Sequence, residues 1–171
     1  MNDEQFDEFA ELVATVSPSL RRLALALTGD AHRSEDAVQA TLERLFLAWP
    51  RLAVRDPVAY ARSALVRQVA TERRRAWWRR EVSVDVLPEP SPTGVGHDDR
   101  MVLLDHLARL PTRQRHTVVL RYLEDLPVVE VARLLGCAEG TVKRAAYDGL
   151  RTLRAELEHD HAQDCHHEEM T

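Results

Sequence analysis

Lysine is almost missing from this chain: of 23 basic residues only Lys143 is a lysine, and the other 22 are arginines. Arginine carries a planar fork of donors suited to phosphates and base edges, although a GC-rich genome yields the same bias, so composition leaves both readings open. Cysteine is as scarce. Cys137 and Cys165 stand far apart, which gives no disulfide framework and no paired CxxC spacing for a metal. No apolar run approaches the roughly 18 residues of a membrane span. The acidic start MNDEQFDEF has neither the basic nor the apolar part of a signal peptide. The expectation is a cytoplasmic protein without membrane insertion. No P-loop, no GxSxG elbow and no HExxH pair occurs, so the residues point to no enzyme class, and no cofactor is expected.

What is present is a segregation of charge that the net value of −5 conceals. Met1 to Val16 holds five acids (Asp3, Glu4, Asp7, Glu8, Glu11) and no base. Ala59 to Arg80 holds seven arginines against Glu72, a net of +6 on what reads as one helix. Thr141 to Arg154 sets Lys143, Arg144, Arg151 and Arg154 against Asp148, a net of +3, and six acids without a base follow Ala155. Two basic segments inside acidic flanks are a candidate electrostatic footprint for nucleic acid. Either one taken singly is equally well a solvated helix face.

The 171 residues suit one domain of about 150 or two of about 80. The stretch VSVDVLPEPSPTGVGHDD, with prolines at 88, 90 and 92 and glycines at 94 and 96, disfavours helix and divides the text in two. The expected fold class is all-α: two small helical domains, 1–81 and 100–158, joined by a flexible linker over 82–99, with an acidic His-rich tail at 159–171. Four helices are expected in the first domain. Phe6, Phe9, Leu12, Val13 and Val16 mark one, ending where Ser17-Pro18 breaks it. LRRLALAL forms a second, ended by Gly29. Ser34 caps a third, which Pro50 stops, and Asp56-Pro57 opens the long basic fourth. The second domain reads as MVLLDHLARL, TRQRHTVVLRYLEDL after Pro111, VVEVARLL after Pro127, and a final helix from Glu139.

Val128 to Leu153 has helix-turn-helix grammar, a short apolar helix, a turn at Gly136-Cys137-Ala138 and a second helix opening Glu139-Gly140-Thr141-Val142. Ala132 leaves room for close crossing and Gly136 gives the turn its backbone freedom. Val131, Leu134, Leu135, Val142 and Leu150 are the expected shared core. Lys143 and Arg144 then lie near the start of the helix that enters a major groove. An ordinary helical hairpin has the same grammar.

The stretch LPTRQRHTVVLRYLEDLPVVEVARLLGCAEGTVKRAAYDGLRTL resembles region 4 of bacterial sigma factors. Independently, LRRLALALTGDAHRSEDAVQATLERLFLAW and DPVAYARSALVRQVATERRR resemble region 2. With both in order across a linker, the chain resembles an extracytoplasmic-function sigma factor of the sigma-70 superfamily, the short class with regions 2 and 4 only. That resemblance implies a promoter-specificity subunit and not an enzyme. It implies that Asp36, Gln39, Leu42, Glu43 and Phe46 meet the clamp helices of the polymerase β′ subunit. It places Leu52, Arg55 and Asp56 in the loop PRLAVRD that captures an unstacked base of the −10 element, with Tyr60, Arg62, Arg67, Arg73, Arg74 and Arg75 on the helix beside it.

For the −35 element it implies Glu139, Thr141, Lys143, Arg144 and Tyr147, with packing on the β flap tip, and the linker resembles the tether near the polymerase active-site channel and RNA exit. An anti-sigma partner is implied as well, since faces that meet polymerase and DNA must be hidden when idle. Two positions depart from the family pattern. Arg144 fills the position of a common serine, and Asp148 stands where a base is common, an acid that weakens binding to phosphates.

Trp77 and Trp78 suit either base stacking or a domain interface. In the tail, His159, His161, Cys165, His166 and His167 are suited to Zn or Cu, but the expectation is a solvated acidic tail without a metal. The other functional readings are a helix-turn-helix regulator that acts without polymerase, for which the first half offers no sensor-like pattern, and a degenerate sigma factor that titrates a partner.

Overall fold

The computed structural model of the chain describes residues 3–49, 56–80 and 99–168, with side chains over 3–49, 56–72 and 102–159. Residues 82–98 of the expected linker and the loop 50–55, with Leu52 and Arg55, lie outside the described residues, whereas Asp99, expected as the last linker residue, opens a helix. Every described element is helical, and the chain divides into two compact units, Met1–Glu89 and Pro90–Thr171.

The first unit is built from three helices, α1 (Asp3–Thr28), α2 (Ala31–Ala48) and α3 (Pro57–Arg80), each packed on the other two. The sequence predicts four, with a break at Pro18; α1 instead continues through it. An interior proline costs about 3 kcal/mol. What offsets it is a stripe of Phe9, Leu12, Val16, Leu20, Leu23 and Leu27, all buried, that keeps one helical phase on both sides of Pro18. Burying each large aliphatic side chain contributes about 1.5–3 kcal/mol, and a break would turn half of the stripe away from the core.

Gly29, at φ 66°, ends α1 as expected. The cap of α2 is a second correction. Asp30 takes that place, its carboxylate accepting from the Arg33 backbone N–H at 2.8 Å. Ser34 sits inside the first turn, buried, donating its hydroxyl to the Ala31 carbonyl. Asp56 caps α3 as expected, accepting from the Ala59 N–H at 2.9 Å, with Pro57 at the first helical position. Between α2 and α3 one polar contact is fully buried: the Thr41 hydroxyl lies 3.4 Å from Gln68 Oε1, and Gln68 Nε2 donates to Glu72.

The second unit consists of α4 (Asp99–Arg109), α5 (Thr112–Val118), a π-helical turn (Val119–Leu123), α6 (Val128–Leu135) and α7 (Glu139–Glu168). α4, α5 and α6 pack on α7. The expected helix TRQRHTVVLRYLEDL is thus α5 followed by the wider turn, closed by the Glu124 N–H on the Val119 carbonyl, with Asp125 at φ 50°. Leu107, Val119, Leu120, Val131 and Val142 form the core. Beside them Arg115 is buried and donates to the Ala108 carbonyl at 2.8 Å.

α7 also runs past the expected end of the domain, to Glu168, so the backbone expected as a tail is helical there. No Gly or Pro follows Gly149, and nothing in the sequence stops the helix. The side chains of His161, Cys165, His166 and His167 lie outside the description, and His159 is exposed.

Candidate functional site

Three helix faces carry the residues singled out from the sequence. On α2, Asp36, Gln39 and Glu43 are exposed, Leu42 is half-buried and Phe46 is 39% exposed. Their spacing of three and four residues gives one stripe. The polar members are paired along the helix: His32 Nδ1 lies 3.2 Å from Asp36, and Gln39 Nε2 donates to Glu43 at 3.0 Å. The His32 imidazole is held above its ordinary value of 6.5, first by a hydrogen bond involving its own backbone and then by the charge of Asp36.

The apolar end of this stripe is built on an aromatic cluster. Phe9 meets Phe46 and Trp49 edge to face, with ring centroids 5.3 and 5.4 Å apart. Leu47 beside it is 78% exposed. Neither Leu47 nor His32 was picked from the sequence. His32 was legible as the residue four before Asp36; a leucine at the end of a helix carries no comparable signal.

On α3 the described cations are Arg62, half-buried, and Arg67, exposed, its Nε donating to the Ser63 carbonyl. Tyr60 is half-buried one turn after the cap. Asp56, expected at a base pocket, accepts from the backbone at the start of α3. The side chains of Arg73, Arg74, Arg75, Trp77 and Trp78 lie outside the description.

The third face belongs to the helix-turn-helix. Gly136 closes α6 at φ 64°, ψ 43°, a left-handed conformation that costs an L side chain about 1–2 kcal/mol. The chain re-enters helix at Glu139, with the Ala138 carbonyl accepting from Thr141 and Val142. Val142, Ala145, Ala146 and Leu153 face inward. The expected shared core is confirmed for Val131 and Val142; Leu134 and Leu135 are half-buried, and Leu150 is 40% exposed. The inward position one step before Leu150 is Gly149, where a Cβ would stand 2.8 Å from Val118 Cγ2 and 3.2 Å from Gln114 Cβ. That close seat on α5 turns Leu150 toward the rim.

The outward face then carries Glu139, Lys143, Arg144, Tyr147, Arg151 and Arg154, all exposed, with Thr141 half-buried at its edge. Asp148 lies at its margin, 3.8 Å from Arg144 Nε and 3.9 Å from Arg151 Nη2. Such a face, on the second helix of a helix-turn-helix, offers hydrogen-bond donors to base edges and charge to phosphates.

The sequence matches the family of sigma-70 region 2 over residues 12–79 and that of sigma-70 region 4 over residues 100–153. It is 36% identical over 159 residues to the RNA polymerase sigma-E factor of Streptomyces avermitilis, which spans 88% of this chain and 86% of that protein. The chain belongs to the sigma-70 family. It is an RNA polymerase sigma factor of the extracytoplasmic-function type, with regions 2 and 4, and directs promoter recognition. It is also 38% identical over 149 residues to the ECF RNA polymerase sigma factor SigL of Mycobacterium tuberculosis, spanning 81% of this chain and 82% of that one.

The sigma factor RpoE of Bartonella quintana, crystallised with the anti-sigma factor NepR, shares the fold with a TM-score of 0.60, at 22% identity over 88% of this chain and 97% of that one. Sigma factors are generally non-enzymatic. In this sigma factor no helix is long and apolar enough to cross a membrane, judged on the described residues. Region 2 is thus the three-helix unit bearing the α2 and α3 faces, and region 4 the unit bearing the α7 face. Arg151 and Arg154 extend that last face beyond the residues chosen from the sequence; the stripe continuing from Lys143 and Arg144 at helical spacing was the signal.

Proposed function

We propose that this cytoplasmic sigma factor, acting without enzymatic activity, divides its work among the three faces. The α2 stripe of Asp36, Gln39, Leu42, Glu43 and Phe46 docks on the β′ clamp helices of core polymerase. The loop with Leu52 and Arg55, together with Tyr60, Arg62, Arg67 and Arg73 to Arg75 on α3, holds the unstacked −10 strand, and Asp56 fixes where α3 begins. Glu139, Thr141, Lys143, Arg144 and Tyr147 read the −35 element while region 4 packs on the β flap. Residues 82–98 act as the tether between the two helical domains, the second of which begins with α4 at Asp99. An anti-sigma factor covers the docking faces of the idle protein.

The observation that carries this reading is the α7 face: cations and Tyr147 stand exposed on the second helix of a helix-turn-helix that buries Val142, Ala145, Ala146 and Leu153 on its inward side. The experiment mixes the purified chain with core RNA polymerase and a pool of genomic promoter fragments, and sequences the run-off transcripts. Shared −10 and −35 elements upstream of the starts are expected. Binding to polymerase without initiation would support a titrating role in place of promoter reading, for which Asp148 beside Arg144 is the favouring observation. No binding to polymerase would overturn the docking assignment.

A further inference from the structure

Asp148 is given no contact with promoter DNA above, yet it is the acid set between two cations of the α7 face, Arg144 and Arg151. Its side chain is 31% exposed, whereas those of Arg144 and Arg151 are 87% and 70% exposed, one turn before it and one turn after. Both guanidinium groups lean toward the same carboxylate, at 3.8 and 3.9 Å. These separations are too long for hydrogen bonds, which end near 3.2 Å for N–H···O. The contacts are therefore ion pairs without directional locks. They lower the charge that the two arginines present outward without fixing the side chains in place.

Asp148 itself is held. It is followed by Gly149, seated against Val118 and Gln114, and its backbone carbonyl accepts from the Thr152 hydroxyl at 3.1 Å. A half-buried carboxylate on a held backbone, at the margin of an exposed cationic face, acts on every phosphate that approaches.

We infer that Asp148 is an affinity damper: it neutralises part of the phosphate-binding charge of Arg144 and Arg151, keeps the free sigma factor off DNA of any sequence, and leaves base discrimination to the rest of the face. This rests on the reading of α7 as the −35 contact. Phosphate contacts position a protein without carrying sequence information, so a residue acting on them moves affinity for all sequences together. Each phosphate neutralised by protein adds about 0.9 to the dependence of log K on log salt. Freeing two arginines therefore steepens that dependence by about one to two units.

The test uses the full chain, a short duplex carrying a −35 element from the run-off selection, and a scrambled duplex of the same length. Binding is followed by fluorescence anisotropy at about 50 and 200 mM salt. Asp148→Asn keeps the backbone bond to Thr152 and the helix. It is expected to tighten binding to both duplexes by about threefold to tenfold at the lower salt, with a steeper salt dependence and an unchanged ratio between the duplexes. Glu8→Gln, which removes the same charge from an exposed position on α1, is expected to change neither. Unchanged affinity in Asp148→Asn would overturn the inference, as would a gain confined to the −35 duplex or an equal gain in Glu8→Gln. A wild-type chain that prefers neither duplex, even with core polymerase, would instead sink the −35 reading on which the inference stands.

Discussion

Region 2 and region 4 reach stable helical folds by different means. Region 2 joins long helices through a continuous aliphatic stripe, strong enough to carry α1 across Pro18, and its buried polar contact is the Thr41–Gln68 pair. Region 4 is assembled from short helices around α7 and depends on particular backbone events: the π turn at Val119–Leu123, the left-handed Gly136 and the close seat of Gly149. A stripe of interchangeable hydrophobes distributes the burden over many residues. A recognition helix whose position is set by single glycines concentrates it. Region 2 therefore holds a docking surface on a robust bundle, while region 4 aims its face through a few positions that admit little change.

The comparison is sharpened most by attacking each core. Leu20→Ala removes a fully buried side chain from the α1 stripe and is expected to cost region 2 about 2–5 kcal/mol. Hydrogen exchange resolved by peptide checks it, with protection lost across α1–α3 and retained in α5–α7. In region 4, Gly149→Val forces a side chain into the contact with Val118 and Gln114 and is expected to cost about 1–3 kcal/mol. Equal tolerance of a bulkier residue at Gly149 and at an exposed helix position such as Gly140, where a Cβ meets nothing within 4 Å, would break the contrast.

The smallest effect concerns the pairing on the α2 face. With its raised pKa, the protonated His32 stabilises the folded helix fully below pH 6.5, and that contribution fades as pH rises through the raised value. The His32 ring resonance followed by NMR is expected to titrate above 6.5 in the wild type and to move back toward it in Asp36→Asn.

Much of this architecture was legible in the sequence where a local device has one physical meaning. Asp56-Pro57 opens α3, Gly29 closes α1 and Gly136 makes the turn, because a cap, a fixed φ and a left-handed residue act within a few positions of themselves. The failures share the opposite character. Pro18 and Ser34 are local signals overruled by packing, since the buried phase of α1 and the Gly29-Asp30 turn had already fixed where the helices run. The π turn, the exposure of Leu150 and the seat at Gly149 depend on how α5 lies across α7, which spacing along one helix does not encode. The candidate faces followed the same division. Asp36, Gln39 and Glu43 were readable as a stripe, but the pairing of Asp148 with two arginines needed side chains in space.

The central claim is that polymerase docking and −35 reading belong to different faces on different units. Its most direct test is the affinity of the full chain for core polymerase without DNA, measured side by side for the Gln39→Ala/Phe46→Ala and Lys143→Ala/Arg144→Ala double variants. The account expects a loss of about tenfold or more for the α2 pair, where an aromatic anchor is removed, and wild-type affinity for the α7 pair. Equal losses in both, or a loss confined to the α7 pair, would contradict it.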